Sequence, residues 1–412
     1  MAAAAQSLKR QVGLPGALVL GLGSMVGTGV FFVSWQVAGD IGAWIFPVIA
    51  LAGILALCNG LSSAQLAANF PVAGGTYEYG YQLLGPTPGF LAGWAFLLAK
   101  SASAAAACVV AGQLLGRILE VDTNAPWLNL RMAALIWLSL TVAVLAGLRR
   151  TQILNTLMVT IAILAIVFEL GLALSTTGEG ASLRLDFGAV PEVWLLPQAV
   201  ALIFVGYTGY GRVATMGEEI LEPRRNIPRA VILTVAVAGL LYALAPVAVV
   251  GREPSLVFQL GAVVALCGIV LNLLLGLSRM LLAMSRRGDV PGIFARLSSR
   301  QEPNFAIVGV AAIIGVFLAA SETGALTETI WAFSAFTVLV YYGFANLCAL
   351  RLSPQQRLYP PVVAIVGGLG CVGLLPFVQW RIILAALAVL ALGLAARAAF
   401  RAAKPDAPAN DG

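Results

Sequence analysis

Lys100 is an ionisable residue near the middle of a long apolar stretch, residues 89–115. A charged side chain at the centre of a membrane is unfavourable, so such residues are rare and usually functional. A lysine there can relay a proton, or its ammonium can occupy the place of a coupling cation. The alternative is a structural ammonium bonded to backbone carbonyls or to hydroxyls such as Ser101 or Ser103. We expect a functional Lys100 that faces the protein interior.

Glu169 is the second ionisable residue inside an apolar stretch, residues 152–174. It lies near one end of that stretch, which predicts a solvated carboxylate at the membrane interface. At about 1.5 Å of helix per residue, its depth differs from that of Lys100 by several ångströms. We therefore do not expect these two side chains to pair.

The residue types that catalyse reactions or bind metals are scarce in this chain. It has no His, and its 5 Cys residues fall in apolar stretches without a Cys-x-x-Cys pair. They are Cys58, Cys108, Cys267, Cys348 and Cys371. No paired carboxylates occur inside the apolar stretches. The pattern predicts no catalytic residues, no metal site and no cofactor, and an intramembrane enzyme is the least favoured function.

Two glycine-rich segments interrupt apolar stretches in a similar way, residues 21–31 (GLGSMVGTGVF) and 204–211 (FVGYTGYG). Glycine destabilises a helix by about 1 kcal/mol relative to Ala, so both helices can unwind there. At such a break, free N–H groups favour an anion and free carbonyls favour a cation. An amino acid zwitterion presents both charges. The candidate substrate-binding residues are Ser24, Met25, Val26, Gly27, Thr28, Gly29, Phe204, Val205, Gly206, Tyr207 and Thr208.

The two breaks predict different roles for their backbone groups. Residues 27–29 leave room for a carboxylate against their amides, and the Thr28 hydroxyl is a further donor. Carbonyls near Ser24, Met25, Phe204 and Val205 could receive the ammonium. The alternative is that the glycines only allow close helix packing, since Gly-x-x-x-Gly occurs at 23–27. The equivalent positions of the breaks, in the first and sixth stretches, favour a binding site at the membrane midplane.

Membrane helices must position these residues. Of the 412 residues, 60% are hydrophobic and 10% charged, whereas soluble domains carry about 25% charged residues. A run of about 20 apolar residues can cross a bilayer as a helix, and twelve such stretches predict twelve transmembrane helices. They are residues 14–36, 43–69, 89–115, 131–148, 152–174, 193–213, 229–250, 257–284, 305–320, 327–350, 361–378 and 382–399.

The basic residues predict the orientation of these spans. Most of the 24 Lys and Arg residues, Arg212 among them, fall on one side when twelve spans alternate. Cytoplasmic loops are enriched in Lys and Arg, so both termini are expected in the cytoplasm. The net charge of +6 then reflects topology and not binding to nucleic acid. The first stretch follows Lys9 and Arg10 as in a signal peptide, but its length favours a retained helix.

The predicted architecture is an all-α polytopic membrane protein of the plasma membrane, or of the inner membrane in a Gram-negative cell. Two inverted repeats of five helices each form its core, with breaks in helices 1 and 6 and two additional C-terminal helices. The segments are a tail (1–13), the first repeat (14–174), the second repeat (193–350), helices 11 and 12 (361–399) and a second tail (400–412).

Four stretches resemble motifs of the amino acid-polyamine-organocation superfamily. Residues 23–31 resemble its broken first helix, and residues 70–79 the stretch after its second helix. Residues 217–229 resemble the signature after helix six, and residues 279–291 the one that closes helix eight. The resemblance implies two inverted five-helix repeats, and transport of amino acids or related amines by proton symport or by exchange.

The resemblance also implies roles for particular residues. Residues 27–29 would bind the substrate carboxylate, and residues 204–208 would shape the side-chain pocket. A large aromatic residue commonly gates that pocket; Val205 aligns with the gate, which leaves Phe204 and Tyr207 as candidates. Many members carry a lysine on helix five, but residues 155–165 contain none.

An inner charge network is the last feature that the resemblance implies. It joins the charged loop after helix six to the basic stretch 279–287 and stabilises an inward-closed state. The predicted members are Glu218, Glu219, Arg224 and Arg286. Residues 77–79 are expected in an amphipathic loop on the same face.

The predicted substrate is a neutral amino acid, because the pocket segments contain no Asp or Glu. Asn272, Trp331 and Ser334 are further candidates to line the site. The expected partners are an amino acid or small amine, protons as the coupling ion, and the lipid bilayer. A permease for polyamines or other organic cations is the alternative of the same fold, and a channel is a less favoured one.

Overall fold

The computed structural model describes residues 10, 12–72, 74–121, 126–175, 187, 191–192, 194–249, 252–321 and 326–402, apart from the side chains of residues 28, 32–36, 126–127, 148–149 and 326–328. This part of the chain is helical and contains no β-strand; an isolated parallel bridge joins Val12 to Ile220. Most of the two predicted tails lies outside the described residues.

The described α-helices are connected by short turns and loops. In chain order they are α1 (Leu14–Gly23), α2 (Ser34–Ile41), α3 (Ile45–Asn69), α4 (Thr76–Leu83), α5 (Pro86–Ile118), α6 (Pro126–Leu145), α7 (Leu148–Ser175), α8 (Leu195–Tyr207), α9 (Gly211–Thr215), α10 (Pro223–Val249), α11 (Leu256–Arg286), α12 (Asn304–Ala320), α13 (Leu326–Leu350), α14 (Pro361–Leu374) and α15 (Trp380–Ala402).

The predicted all-helical membrane fold is confirmed at this level. Eight helices of the described chain are long and apolar enough to cross a membrane. Three shorter apolar helices, Leu14–Gly23, Asn304–Ala320 and Pro361–Phe377, lie over other predicted spans. The exact number of twelve spans stays a prediction.

α5 is the central helix of the bundle. It packs against α4, α6, α11, α12 and α13, and its most apolar window is buried along its whole length. Five of the residues 102–107 are Ala, and such small side chains allow helix backbones to approach closely. Lys100 lies on this helix and is therefore surrounded by protein.

The outer surface of the bundle is apolar. Large hydrophobic side chains are exposed on α6, α7, α12 and α14, for example Leu135, Leu164, Val316 and Leu369. Large exposed apolar surfaces mark contact with a membrane or another protein. The bundle therefore presents a surface suited to lipid.

Helices that are five spans apart along the chain pack against each other. α3 packs on α10, and α5 packs on α11. The π-helical turn after α1 contacts α8 in the same way. These pairings bring the first and sixth spans together at the centre of the bundle.

Candidate substrate site

The first span is broken after α1. Ser24 and Met25 donate their backbone N–H groups to carbonyls three residues earlier, at 3.1 and 2.9 Å, so the chain forms tight turns. A π-helical turn, Thr28–Val33, follows, with a bond of 2.8 Å from Phe31 N to Gly27 O. π-helical turns are rare in proteins as a whole, and those that occur are often found at functional sites. The structure thus interrupts the regular helix within the predicted segment.

The sixth span is interrupted less sharply. α8 ends at Tyr207, a 3₁₀ turn covers Thr208–Tyr210, and α9 begins directly after it at Gly211. The Thr208 hydroxyl donates a hydrogen bond to the Val205 carbonyl at 2.5 Å. A stretch of 3₁₀ helix inside a longer helix often marks a hinge. This turn lies in the second predicted segment.

The two breaks cross at Gly29 and Gly206. A methyl group on Gly29 would lie 3.1 Å from the Gly206 Cα atom, and one on Gly206 would lie 3.0 Å from the Gly29 Cα atom. Either methyl group would also collide with the Tyr242 hydroxyl. That hydroxyl donates to the Met25 carbonyl at 3.1 Å. Only glycine fits at the crossing, which explains why positions 29 and 206 are both glycine.

A second close approach lies one turn further along. A methyl group on Gly209 would lie 2.7 Å from the Ser24 carbonyl oxygen. The two interrupted spans are therefore in backbone contact on both sides of Met25. The predicted residues of the two segments come together in one place; the Thr28 side chain lies outside the described part.

Aromatic rings enclose this place. Tyr207 packs on Tyr242 with ring centroids 4.6 Å apart, and Phe204 meets Tyr342 edge-on at 5.9 Å. The Tyr342 hydroxyl donates to the Thr208 carbonyl at 3.2 Å. Phe204 and Tyr207, the two gate candidates, are both fully buried, so the aromatic wall is closed in this conformation.

Lys100 reaches the break in the sixth span. Its Nζ atom donates a hydrogen bond of 2.5 Å to Thr208 Oγ1. The hydroxyls considered as its partners are not the ones it contacts, because Ser103 bonds to Ser334 at 2.7 Å and the Ser101 hydroxyl has no partner among the described residues. The side chain links the central helix to the candidate site.

A small cavity adjoins this hydrogen bond. Its volume is about 20 Å³, and its polar lining comes from Ser24, Lys100, Thr208, Arg212, Thr215 and Asn272. A volume of about 10–15 Å³ is enough for one water molecule. A site of this size does not hold an amino acid, so the conformation is a closed one.

Two asparagines attach α1 to α7 and α11 near the first break. The Asn155 amide donates to the Val19 carbonyl at 3.3 Å, and Asn272 donates to the Asn155 side chain. A methyl group on Gly23 would collide with both amides. Asn155, absent from the predicted site residues, thus links α7 to α1 beside the first break.

The prediction for Glu169 is wrong. Its side chain is 1% exposed and not solvated at the interface. Its carboxylate accepts a hydrogen bond from the Ser255 hydroxyl and another from the Ser255 backbone N–H, the latter at 3.2 Å. Ser255 precedes α11 and is distant from Glu169 in sequence. The residues around Glu169 therefore give no sign of this hydrogen-bond partner.

The four predicted members of the inner charge network lie in different surroundings. Glu219 pairs with Arg279, with 3.5 Å between the carboxylate and Nε, and both are buried. Arg224 is exposed at the start of α10. Glu218 and Arg286 each take part in an interaction as well. Glu219 thus joins the loop after the sixth span to the basic stretch through a buried ion pair.

Residues 77–79 form part of a buried helix and not an amphipathic loop. They lie in α4, where Glu78 receives hydrogen bonds of 3.0 Å from Arg287 Nε. This hydrogen bond raises the pKa of Arg287. α4 thus joins the loop after the second span to the end of α11.

Asp289 organises a second cluster that the sequence pattern did not indicate. Its buried carboxylate accepts hydrogen bonds from Tyr77 at 2.7 Å and from Tyr81. Arg397 and Arg401 of α15 donate to it at 2.7 and 2.9 Å. Burial, with the hydrogen bond to Asp289, raises the pKa of both tyrosines, so they remain donors. The cluster attaches the last helix to α4 and α11.

Arg212 is the other residue absent from the predicted site. Its position beside Gly211, inside the predicted sixth span, is the signal that could have identified it. It is 4% exposed on α9 and lines the cavity beside Lys100. It is therefore not a basic residue of a loop. The described residues contain no group of three or more His, Cys, Asp and Glu arranged to hold a metal.

Comparison with known protein families decides the class of this protein. A family model described as amino acid permease matches residues 12–255, and a second model with the same description matches residues 254–411. The chain belongs to the amino acid permease family. The family is one of transporters, so this permease is a multi-pass membrane transporter of amino acids and not an enzyme.

Individual relatives agree with this class. The permease is 34% identical to an uncharacterized transporter of Mycobacterium tuberculosis, over 94% of this chain and 91% of that protein. It is 26% identical to a branched-chain amino acid permease of Bacillus subtilis, over 94% of this chain and 92% of that protein. The crystal structure of MhsT in complex with L-phenylalanine has the same overall fold, with a TM-score of 0.63 at 14% identity, covering 95% of this chain and 100% of that one.

Proposed function

We propose that this permease is a secondary active transporter of neutral amino acids that works by alternating access. The observation that carries the proposal is the crossing of two interrupted spans at Gly29 and Gly206. Paired breaks at the centre of a bundle expose backbone donors and acceptors to a substrate inside the membrane. The closed conformation requires the site to open before an amino acid can enter.

The proposed core consists of two inverted five-helix repeats within twelve spans. The packing of α3 on α10 and of α5 on α11 supports it, because helices at equivalent positions of two repeats then lie side by side. The proposed segments remain 14–174 and 193–350, with two further helices in 361–399. Both termini would lie in the cytoplasm, and the membrane would be the plasma membrane.

The proposed binding mode uses the backbone at both breaks. The amides of residues 27–29 would bind the carboxylate, and carbonyls near Ser24, Met25, Phe204 and Val205 would bind the ammonium. The side chain of the substrate would lie against Phe204 or Tyr207. Among the described residues, no Asp or Glu lines the cavity at the break, which favours a neutral side chain.

The proposed coupling residue is Lys100. Its ammonium donates a hydrogen bond to the Thr208 hydroxyl beside the break. Loss of a proton from Lys100 would therefore change a hydrogen bond of the sixth span directly. Proton symport and exchange of amino acids are both compatible with this position. The buried pair of Glu219 and Arg279 would stabilise the closed state on the inner side.

Counterflow in liposomes tests the proposed function. Purified permease is reconstituted into liposomes loaded with an unlabelled amino acid, and uptake of the labelled one is followed. We expect saturable counterflow with neutral amino acids such as leucine, and weaker signals with lysine or putrescine. Strongest counterflow with putrescine would favour the polyamine alternative, and flux that does not saturate would favour a channel. A thermal-shift screen against amino acids and amines narrows the substrate first.

A further inference from the structure

Arg212 is a buried cation without a hydrogen-bond acceptor. Its Nε, Nη1 and Nη2 atoms have no partner among the described residues, although the residue is only 4% exposed. A guanidinium offers five N–H donors, and an uncompensated charge inside a protein is strongly unfavourable. Such a group calls for an anion.

The buried carboxylates do not supply that anion. Within the described chain four carboxylates are buried, and each is engaged with its own partner. The pairs are Glu78 with Arg287, Glu169 with Ser255, Glu219 with Arg279, and Asp289 with Arg397 and Arg401. Glu219 attracts Arg212 electrostatically, but Arg279, which shares that carboxylate, repels it. Arg212 and Arg279 thus share one carboxylate, and the buried Lys100 is a further basic group beside Arg212, so positive charge is in surplus here.

Lys100 and Arg212 line the same cavity. Thr208 accepts one hydrogen bond from the Lys100 ammonium, which has three donors. A methyl group on Gly276 would lie 3.1 Å from the Arg212 Nη1 atom, so this glycine provides the space for the guanidinium. The two cations therefore border one small volume.

The neutral groups of the cavity cannot balance these charges. The hydroxyls of Ser24, Thr208 and Thr215 donate to backbone carbonyls. The Asn272 amide oxygen has no partner and could accept one N–H, but it carries no negative charge. Among the described side chains that line the cavity, the two cations supply the donors that remain.

We propose that this cavity binds a single monatomic anion, chloride, between Lys100 and Arg212. The volume of about 20 Å³ suits one species little larger than water, whereas a substrate carboxylate would bring the rest of the molecule with it. The bound anion fixes α5 against α9 and neutralises the charge beside the break. This inference goes beyond the proposed transport function and does not depend on which amino acid is carried.

Thermal unfolding of the purified full-length permease, without substrate, tests the site. Sodium chloride is exchanged for sodium gluconate at constant ionic strength. A ligand that binds only the folded state stabilises it in proportion to the logarithm of its concentration, once the site is nearly full. We expect the melting temperature to rise with chloride and with bromide. An equal melting temperature in chloride and gluconate overturns the proposal.

Arg212→Met separates this site from general salt effects. Methionine has a similar length and no charge, so the variant should lose the chloride shift and be at least as stable as the wild type in gluconate. Arg300→Gln, at an exposed loop residue, is the matched control and should keep the full shift. A chloride shift that persists in Arg212→Met overturns the proposal.

Bromide provides a second measurement that does not need the variant to fold. Crystals of the wild-type permease grown in bromide should show an anomalous peak within hydrogen-bond distance of Arg212 and Lys100. A map without that peak overturns the proposal. The proposal is also overturned if chloride has no effect on the melting temperature while leucine raises it in the wild type but not in Arg212→Met. Chloride binding is measured without transport. A negative result for chloride therefore leaves the proposed transport function, which the counterflow experiment tests, unaffected.

Discussion

The hydrogen bond between Lys100 and Thr208 joins a charge on the central helix to the break in the sixth span. A hydrogen bond to a charged group contributes about 1.5–3 kcal/mol, so this contact can bias the conformation of the 3₁₀ turn that follows α8. A lysine used only for packing would not need to end at the threonine hydroxyl of that turn.

Replacement of Lys100 by Met should impair coupling. We expect uptake into liposomes to fall about tenfold, the change that follows from a loss of about 1.4 kcal/mol, and its stimulation by a pH gradient to disappear. Ser103→Ala, on the same helix, removes a neutral hydrogen bond to Ser334 and serves as the control. Equal rates and an equal pH response in Lys100→Met and wild type would rule out the coupling role.

Replacement of Gly29 by Ala should damage the crossing of the two spans. The added methyl group meets the Gly206 backbone, which cannot move aside as a flexible side chain can. Overpacking of this kind costs about 1–3 kcal/mol, so we expect a lower melting temperature and loss of uptake. Gly39→Ala is the control, because nothing lies within 4 Å of its methyl position. Similar behaviour of the two variants would contradict a tight crossing.

The sequence predicts some of these residues better than others. Glycine at Gly29 and Gly206 leaves a visible pattern, because breaks in apolar helices need it. Arg212 leaves a weaker signal, its position beside Gly211 inside the predicted sixth span, because an arginine close to the end of a span resembles a loop residue until its neighbours in space are known. Glu169 is similar: its partner Ser255 is 86 residues away, beyond the reach of any local pattern.

At the scale of elements, the long apolar runs predict helices reliably but not their attachments. α4 forms where a loop was expected, because Tyr77 and Tyr79 find a buried environment against α5 and α13. The attachment of α15 also depends on tertiary contacts, since Arg397 and Arg401 meet Asp289 more than 100 residues earlier. Hydrophobic periodicity carries no information about such polar contacts.

Asp289→Asn should loosen the attachment of α15. Removal of one partner from a buried ion pair costs about 3–5 kcal/mol, because the other charge stays buried. We expect a clearly lower melting temperature of the purified protein. Glu222→Gln is the control, because it removes an ion pair with Arg225 in which the two side chains are 67% and 64% exposed. Such exposed pairs contribute about 0–1 kcal/mol to stability. A loss of stability no larger than that of Glu222→Gln would show that Asp289 does not hold the helix.

At the scale of the whole molecule, the closed site and the buried pair of Glu219 and Arg279 fit one state of the proposed transport cycle. The cavity beside the break is about 20 Å³, and the aromatic rings around it are buried. Interfaces of packed helices have discrete arrangements and are not continuously deformable. The proposed alternating access therefore requires a second arrangement in which the two interrupted spans separate and admit the substrate.

Glu219→Gln should shift the molecule toward the state that is open on the inner side. The pair with Arg279 is buried on both sides, with 3% and 4% of the side chains exposed, and Val12 also donates its N–H to the Glu219 carbonyl at 2.9 Å. Breaking the ion pair leaves Arg279 unpaired in the closed state, where it is shielded from water. Opening hydrates that arginine. The ratio of open to closed molecules should therefore be more than about tenfold higher in the variant than in the wild type, which corresponds to more than about 1.4 kcal/mol.

Cysteine labelling measures this shift. In a cysteine-free background, Ser24→Cys places a thiol at the cavity, and a membrane-impermeant maleimide is added from the side of the termini. We expect slow labelling with Glu219 intact and at least about tenfold faster labelling with Glu219→Gln. Glu222→Gln, on the same loop but exposed, should label at the slow rate. Because the Val12 backbone contact is kept in every variant, equal rates in Glu219→Gln and Glu222→Gln would mean that the helix packing alone closes the inner side.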